Sequence, residues 1–158
     1  MAGDEITTVC ATPEATRAVA AAVATLLRPG DVVALSGDLG AGKTCFVQGA
    51  AEALGVRVRV QSPSFVIVRE YHGDIPIRHV DVYRLNSIQE LIDLGYDELF
   101  DPARVLFIEW GDAVEGELPG DRLEIEITGT GTEERRIALR GRGTWEQRIA
   151  GLPSEVAL

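Results

Sequence analysis

The segment Gly37 to Thr44, reading GDLGAGKT, narrows the fold more than any other stretch of this chain. It fits G-x-x-x-x-G-K-[ST], a loop whose successive backbone N–H groups turn inward around phosphates. Its lysine places a point charge on the outer phosphates, and its terminal hydroxyl can ligate Mg²⁺. An apolar run, Val32-Val33-Ala34-Leu35, leads into the loop, and Phe46, Val47, Ala50, Ala51 and Leu54 follow it at helical spacing. Strand 31–36, loop 37–44 and helix 43–54 therefore make the strand–loop–helix context the motif needs. The candidate ATP-binding residues are Asp38, Leu39, Gly40, Ala41, Gly42, Lys43 and Thr44.

The rest of the chain supplies strands, helices and acids around that unit. Ile6 to Cys10 reads as a short strand. Thr12-Pro13-Glu14 opens a helix with an N-cap hydroxyl, a proline at the first helical position and an early acid. Val19, Val23, Leu26 and Leu27 form the apolar stripe of that helix, and Cys10 to Thr12 is a candidate approach to the base of a nucleotide. Ser62-Pro63-Ser64 presents two hydroxyls on an extended loop, read either as a nucleotide-sensing switch loop or as an ordinary Ser-Pro turn. Residues 65–71 and 75–82 predict an antiparallel hairpin, because His72-Gly73-Asp74 is too short for a crossover. Period-two alternation puts His79, Asp81 and Tyr83 on one face, with Asp81 a candidate Mg²⁺ partner at the strand end. Ser87-Ile88-Gln89-Glu90 is a capping box that starts a further helix.

Val105-Leu106-Phe107-Ile108-Glu109-Trp110 has the form of a buried parallel strand that delivers a carboxylate at its C-terminal edge, where open α/β sheets bind ligands. Glu109 is suited to hold Mg²⁺ directly or through water, or to orient an attacking water; the plainer alternative is a strand-end salt bridge. Trp110 is either a core aromatic or a wall of the site. Leu123 to Ile127 and Arg136 to Arg140 alternate cleanly around a Thr/Gly-rich turn, which predicts a C-terminal antiparallel hairpin with glutamates facing arginines. The reading is one domain over 1–143 and a tail over 144–158, with one helical turn starting from Thr144.

Composition sets the limits of function. The 158 residues are 46% hydrophobic and 25% charged, enough for one packed core. No apolar run approaches membrane-spanning length and the N-terminus is acidic, so the cytoplasm is the expected location and no membrane association is expected. Cys10 and Cys45 lack the spacing of a zinc site or a disulfide framework. The formal net charge of −10 disfavours direct, tight binding of DNA or RNA and fits partners that are nucleotide–Mg²⁺ and other proteins.

Taken together, GDLGAGKT (37–44), SPSF (62–65), HVDVYRL (79–85) and IEW (108–110) resemble the bacterial ATPase family TsaE (also called YjeE), of the tRNA threonylcarbamoyladenosine biosynthesis machinery. The order and spacing of the pieces match, and the similarity reaches to about Gly143. The resemblance implies a P-loop NTPase with a mixed central sheet flanked by helices. It implies weak intrinsic ATP hydrolysis, and association with two partner proteins that carry out threonylcarbamoyl transfer, so that tRNA is met indirectly through them. It further implies that Lys43 binds phosphates, that Thr44 and Glu109 serve Mg²⁺, that Asp81 acts near the metal and water, that Ser62 and Ser64 belong to a switch loop, and that Trp110 lies by the site. Ser64 stands where threonine is usual. Gly111-Asp112-Ala113 departs from members with a further acid or arginine there, so no role transfers to those positions.

On this reading Asp81 and Glu109 are the catalytic candidates, Thr44 and Glu109 the metal ligands, and hydrolysis is slow alone because no arginine finger is evident; Arg84 is the one cis candidate. A small-molecule kinase is the alternative among enzymes, although no arginine-rich lid is visible. A nucleotide-dependent interaction switch with negligible hydrolysis is the alternative outside them.

Overall fold

The computed structural model describes residues 5–37, 42–60, 68–81, 99–109, 118–129 and 134–152. Among these, seven strands form one mixed sheet: β1 (Glu5–Cys10), β2 (Val32–Gly37), β3 (Val68–Tyr71), β4 (Ile77–Asp81), β5 (Val105–Glu109), β6 (Arg122–Gly129) and β7 (Arg135–Arg142). The spatial order is β1-β7-β6-β2-β5-β4-β3. β2 runs parallel to both neighbours, β5 and β6, and β5 is parallel to β4. Antiparallel pairs close both edges: β3 on β4 at one side, β7 on β6 and β1 on β7 at the other. All four residues Val32 to Leu35 and all five of β5 are buried, as strands covered on both faces require.

Two helices cover one face. α1 (Pro13–Ala24) begins at Thr12, whose hydroxyl accepts from the Ala15 N–H at 3.1 Å. α2 (Lys43–Ala53) lies against it. The two approach closely because α2 carries Gly49 at the crossing: a Cβ there would sit 2.6 Å from Arg17 Cα. Val19, Ala20 and Val23 of α1 and Phe46, Val47 and Ala50 of α2 pack on Val33, Leu35, Phe107, Ile125 and Ile127 of the sheet. Alternate residues Val32, Ala34, Val80, Leu106 and Ile108 face the other way and pack with Leu99 and Leu118.

The predicted C-terminal hairpin forms as β6 and β7. Arg142 donates to Glu124 across it at 3.0 Å. At the sheet edge Arg140 pairs with Glu5, which holds that exposed carboxyl below its usual range. The boundary at residue 143 needs correction. A short helix, α3 (Trp145–Arg148), continues into a 3₁₀ turn, Ile149–Gly151, and both Trp145 and Ile149 join the main core. An indole with 1% of its surface exposed belongs to the packed unit, so residues 144–152 are domain rather than tail. Among the described residues, no helix is long and apolar enough to cross a membrane.

Candidate active site at the edge of three parallel strands

β2, β5 and β4 lie side by side and point the same way, so their last residues share one edge of the sheet. β2 ends in Gly37 with φ +133, and a Cβ at that position would lie 1.9 Å from the Ile127 carbonyl oxygen on β6. Only glycine lets the chain leave β2 so close to its neighbour. The chain reaches α2 through Gly42, which is left-handed at φ +104 and caps the helix without a side chain.

The two helix starts differ in a way that matters chemically. α1 is closed by the Thr12 hydroxyl and carries Glu14 in its first turn. α2 has no side-chain cap and no acid in its first turn. The positive end of its dipole is therefore met by no side-chain cap and no acid, which favours an anion there, with Lys43 and Thr44 in the first turn to add a cation and a hydroxyl. Lys43 is buried, and its Nζ donates to the Gly37 carbonyl at 3.0 Å, so the ammonium folds back to the point where the loop begins.

The acids come from the neighbouring strands. In the β4–β5 register Asp81 stands opposite Glu109, and Leu35 of β2 stands opposite Glu109 on the other side. Asp81 and Glu109 are both buried polar residues, at 7% and 5% exposure. His79, two residues before Asp81 and on the same face, is fully buried, and its Nε2 lies 2.5 Å from Glu109 Oε2. A carboxylate only accepts, so Nε2 carries the proton and donates; Nδ1 has no hydrogen-bond partner among the described residues. The imidazole thereby fixes one oxygen of Glu109 and leaves the other for chemistry.

A hydroxyl on the first turn of α2 and two carboxylates at adjacent strand ends make an all-oxygen donor set, which suits Mg²⁺. That ion usually takes one or two carboxylates and completes its octahedron with substrate phosphates and water. Among the described residues, no three His, Cys, Asp or Glu side chains cluster as a self-sufficient metal site. A phosphate-dependent Mg²⁺ site does not require such a cluster.

Of the sequence-predicted residues, Gly42, Lys43 and Thr44 open α2, and Asp81 and Glu109 meet at the strand edge. Asp38, Leu39, Gly40, Ala41, Ser62, Ser64, Arg84 and Trp110 lie outside the described residues. Both cysteines are free thiols, and burial pushes the Cys10 thiol up. Cys45 Sγ lies 3.5 Å from the Pro13 carbonyl, which sets the start of α1 beside the residue after Thr44. The contact that sequence reasoning missed is His79–Glu109. Alternation placed His79 on the face of Asp81, but its partner depends on the β4–β5 register, which no local pattern encodes.

Residues 10–137 match the family model for threonylcarbamoyl adenosine biosynthesis protein TsaE. The chain belongs to the TsaE family. The tRNA threonylcarbamoyladenosine biosynthesis protein TsaE of Bacillus subtilis (strain 168) is 46% identical over 132 residues, covering 83% of this chain and 82% of the relative. The protein of the same name from Streptomyces coelicolor is 44% identical over 129 residues, covering 77% of this chain and 86% of the relative. The crystal structure of Bacillus subtilis YdiB superposes with a TM-score of 0.81 at 38% identity and covers 95% of each chain. The fold is that of a P-loop NTPase. The TsaE match takes in loop 37–44, β4 and β5, and ends before α3.

Proposed function

We propose that this chain is an ATPase that binds ATP–Mg²⁺ and hydrolyses it slowly, in support of a multiprotein complex that makes threonylcarbamoyladenosine in tRNA. The observation that carries the reading is the uncapped, acid-free start of α2 on the same sheet edge as Asp81 and Glu109. Lys43 and the α2 N–H groups bind the phosphates, with Asp38 to Ala41 completing the loop. Thr44 and Glu109 would hold Mg²⁺, which would supply charge neutralisation at the phosphates. Asp81 orients the attacking water or the ion, His79 positions Glu109, the hydroxyls of Ser62 and Ser64 respond to the γ-phosphate, and Trp110 walls the site. Two protein partners complete the assembly and present tRNA, and the cytoplasm is the compartment.

The test is ATP hydrolysis by the protein alone, then with the two candidate partners, then with tRNA. Stimulation by the partners is expected, and Lys43→Ala should remove nucleotide binding in every condition. Labelled phosphate passing to a metabolite instead of water would replace this reading with a kinase. Partner binding that needs ATP without any turnover would replace it with a passive switch.

The His79 assignment has its own test. His79→Ala should reduce turnover about 10–100-fold, as loss of a residue supporting a metal ligand usually does, with the KM for ATP little changed. His79→Gln retains an N–H donor and should recover part of the loss. A purely structural histidine would lower the melting temperature of both variants and leave turnover per folded molecule intact.

A further inference from the structure

We infer that the ridge Arg57-Val58-Arg59 is a docking site for an acidic segment of a protein partner. The ridge follows α2 and lies outside the nucleotide machinery described above. Val58 is 65% exposed, the more exposed of the two large hydrophobic side chains that stand out to solvent among the described residues; the other is Val9. Arg57 and Arg59 flank it, both exposed. Several other arginines of this acidic chain are engaged: Arg17 with Glu14, Arg78 and Arg104 with Glu70, Arg122 and Arg142 with Glu124, Arg140 with Glu5, Arg148 with Asp31. Arg28, Arg69 and Arg136 form no ion pair among the described residues, but no two of them bracket an exposed large hydrophobic side chain in sequence as Arg57 and Arg59 bracket Val58. Arg57 and Arg59 make no ion pair among the described residues.

Grooves lie on both sides of the ridge. One, of about 520 Å³, runs between the ridge and the helices, lined by Arg17, Gln48, Glu52, Arg57, Val58 and Arg59. Arg17 there already pairs with Glu14, and Arg57 and Arg59 still outnumber the single carboxylate of Glu52. The other, of about 350 Å³, shares Arg57 and Val58 and is also lined by Tyr71, His72, Gly73 and Glu70, whose carboxylate is already paired with Arg78 and Arg104. An apolar knob between two unpaired arginines calls for a partner with an apolar socket flanked by carboxylates. Arginine pairs bidentately with carboxylates, and it is enriched at protein interfaces. RNA offers phosphates for the arginines but no socket for Val58, and the net charge of −10, which opposes any acidic partner at long range, opposes a uniformly charged polyanion most. An acidic protein surface can be met locally by the ridge alone.

The ridge is also tied to the site. Gln48, one helical turn beyond Thr44, donates its side-chain N–H to the Val60 carbonyl at 3.0 Å. An occupant of the ridge therefore bears on the helix whose first turn carries Lys43 and Thr44.

Naming the partner rests on the proposed function: the occupant is one of the two threonylcarbamoyl-transfer proteins. The test measures affinity of the full-length protein for each of them, and for tRNA, at low and at moderate salt. It compares wild type with Arg57→Glu/Arg59→Glu and with the milder Val58→Ser, while ATP hydrolysis without partners is recorded separately. The inference expects at least about a tenfold loss of partner affinity for the double variant, a smaller loss for Val58→Ser, a shallower salt dependence for the double variant, and unchanged hydrolysis without partners. Loss of partner binding supports the ridge even if wild type hydrolyses no ATP, a result that would sink only the proposed activity. Wild-type affinity in both variants overturns the inference. So does failure of wild type to bind either partner, or an affinity loss confined to tRNA.

Discussion

Glu109→Gln is expected to lower ATP turnover at least about a hundredfold while leaving nucleotide affinity within a few-fold of wild type. Glu109 is the last residue of β5, buried, opposite Asp81 on one side and Leu35 on the other. Glutamine preserves shape, and its carbonyl can still accept from His79 Nε2, so the contact that orients the side chain survives. What disappears is the negative charge that the proposed function assigns to holding Mg²⁺ or aligning water. The start of α2 and Lys43, on which triphosphate binding rests in the proposed function, are untouched. Single-turnover hydrolysis with partners present, together with titration by a fluorescent ATP analogue, separates the two effects. Turnover within threefold of wild type would show that Glu109 is a strand-end carboxylate satisfied by His79 and nothing more. Asp81→Asn makes the companion measurement, because Asp81 stands opposite Glu109 at the same sheet edge.

The legible part of this site was local. A tightly spaced glycine loop between an apolar strand and an amphipathic helix states its own geometry, and the structure keeps Gly42, Lys43 and Thr44 at the start of α2. The strand that ends in Glu109 was equally readable, because burial on both faces leaves an uninterrupted apolar run. Neighbour relations were not readable. β6 follows β5 in sequence yet lies on the far side of β2, and β1 pairs with β7 across most of the chain. The order of the strands depends on which faces the helices cover, a global property, and the His79–Glu109 contact inherits that dependence. The C-terminal segment was misjudged for a related reason. Trp145 and Ile149 are separated by polar residues and look isolated in sequence, but four residues apart on a helical turn they share one face.

Trp145→Ala is expected to cost about 3–5 kcal/mol of stability, the usual range for removing a buried tryptophan. For a domain of this size that corresponds to roughly 6–20 °C in melting temperature. Trp145 is 1% exposed and packs within the main core together with Ile149. Arg148 lies 3.9 Å from the centroid of its ring, and the same guanidinium donates to both Asp31 oxygens, at 2.8 and 2.7 Å, and to the Leu26 carbonyl at 2.6 Å. The hydrogen bond to Asp31 raises the Arg148 pKa further above its already high ordinary value, so the guanidinium of this clasp stays charged. β7 is shaped to receive the helix: a Cβ at Gly141 would lie 2.2 Å from the Trp145 carbonyl oxygen. The clasp grips Asp31, immediately before β2, whereas the candidate site lies beyond the other end of that strand at Gly37. Stability and chemistry should therefore separate. Well below its melting temperature, Trp145→Ala should hydrolyse ATP at the wild-type rate per folded molecule, and thermal unfolding followed by circular dichroism should reveal the whole loss. A shift under about 3 °C would return residues 144–152 to the status of an appendage. A normal melting temperature with lost turnover would instead place the indole in communication with the nucleotide site along β2.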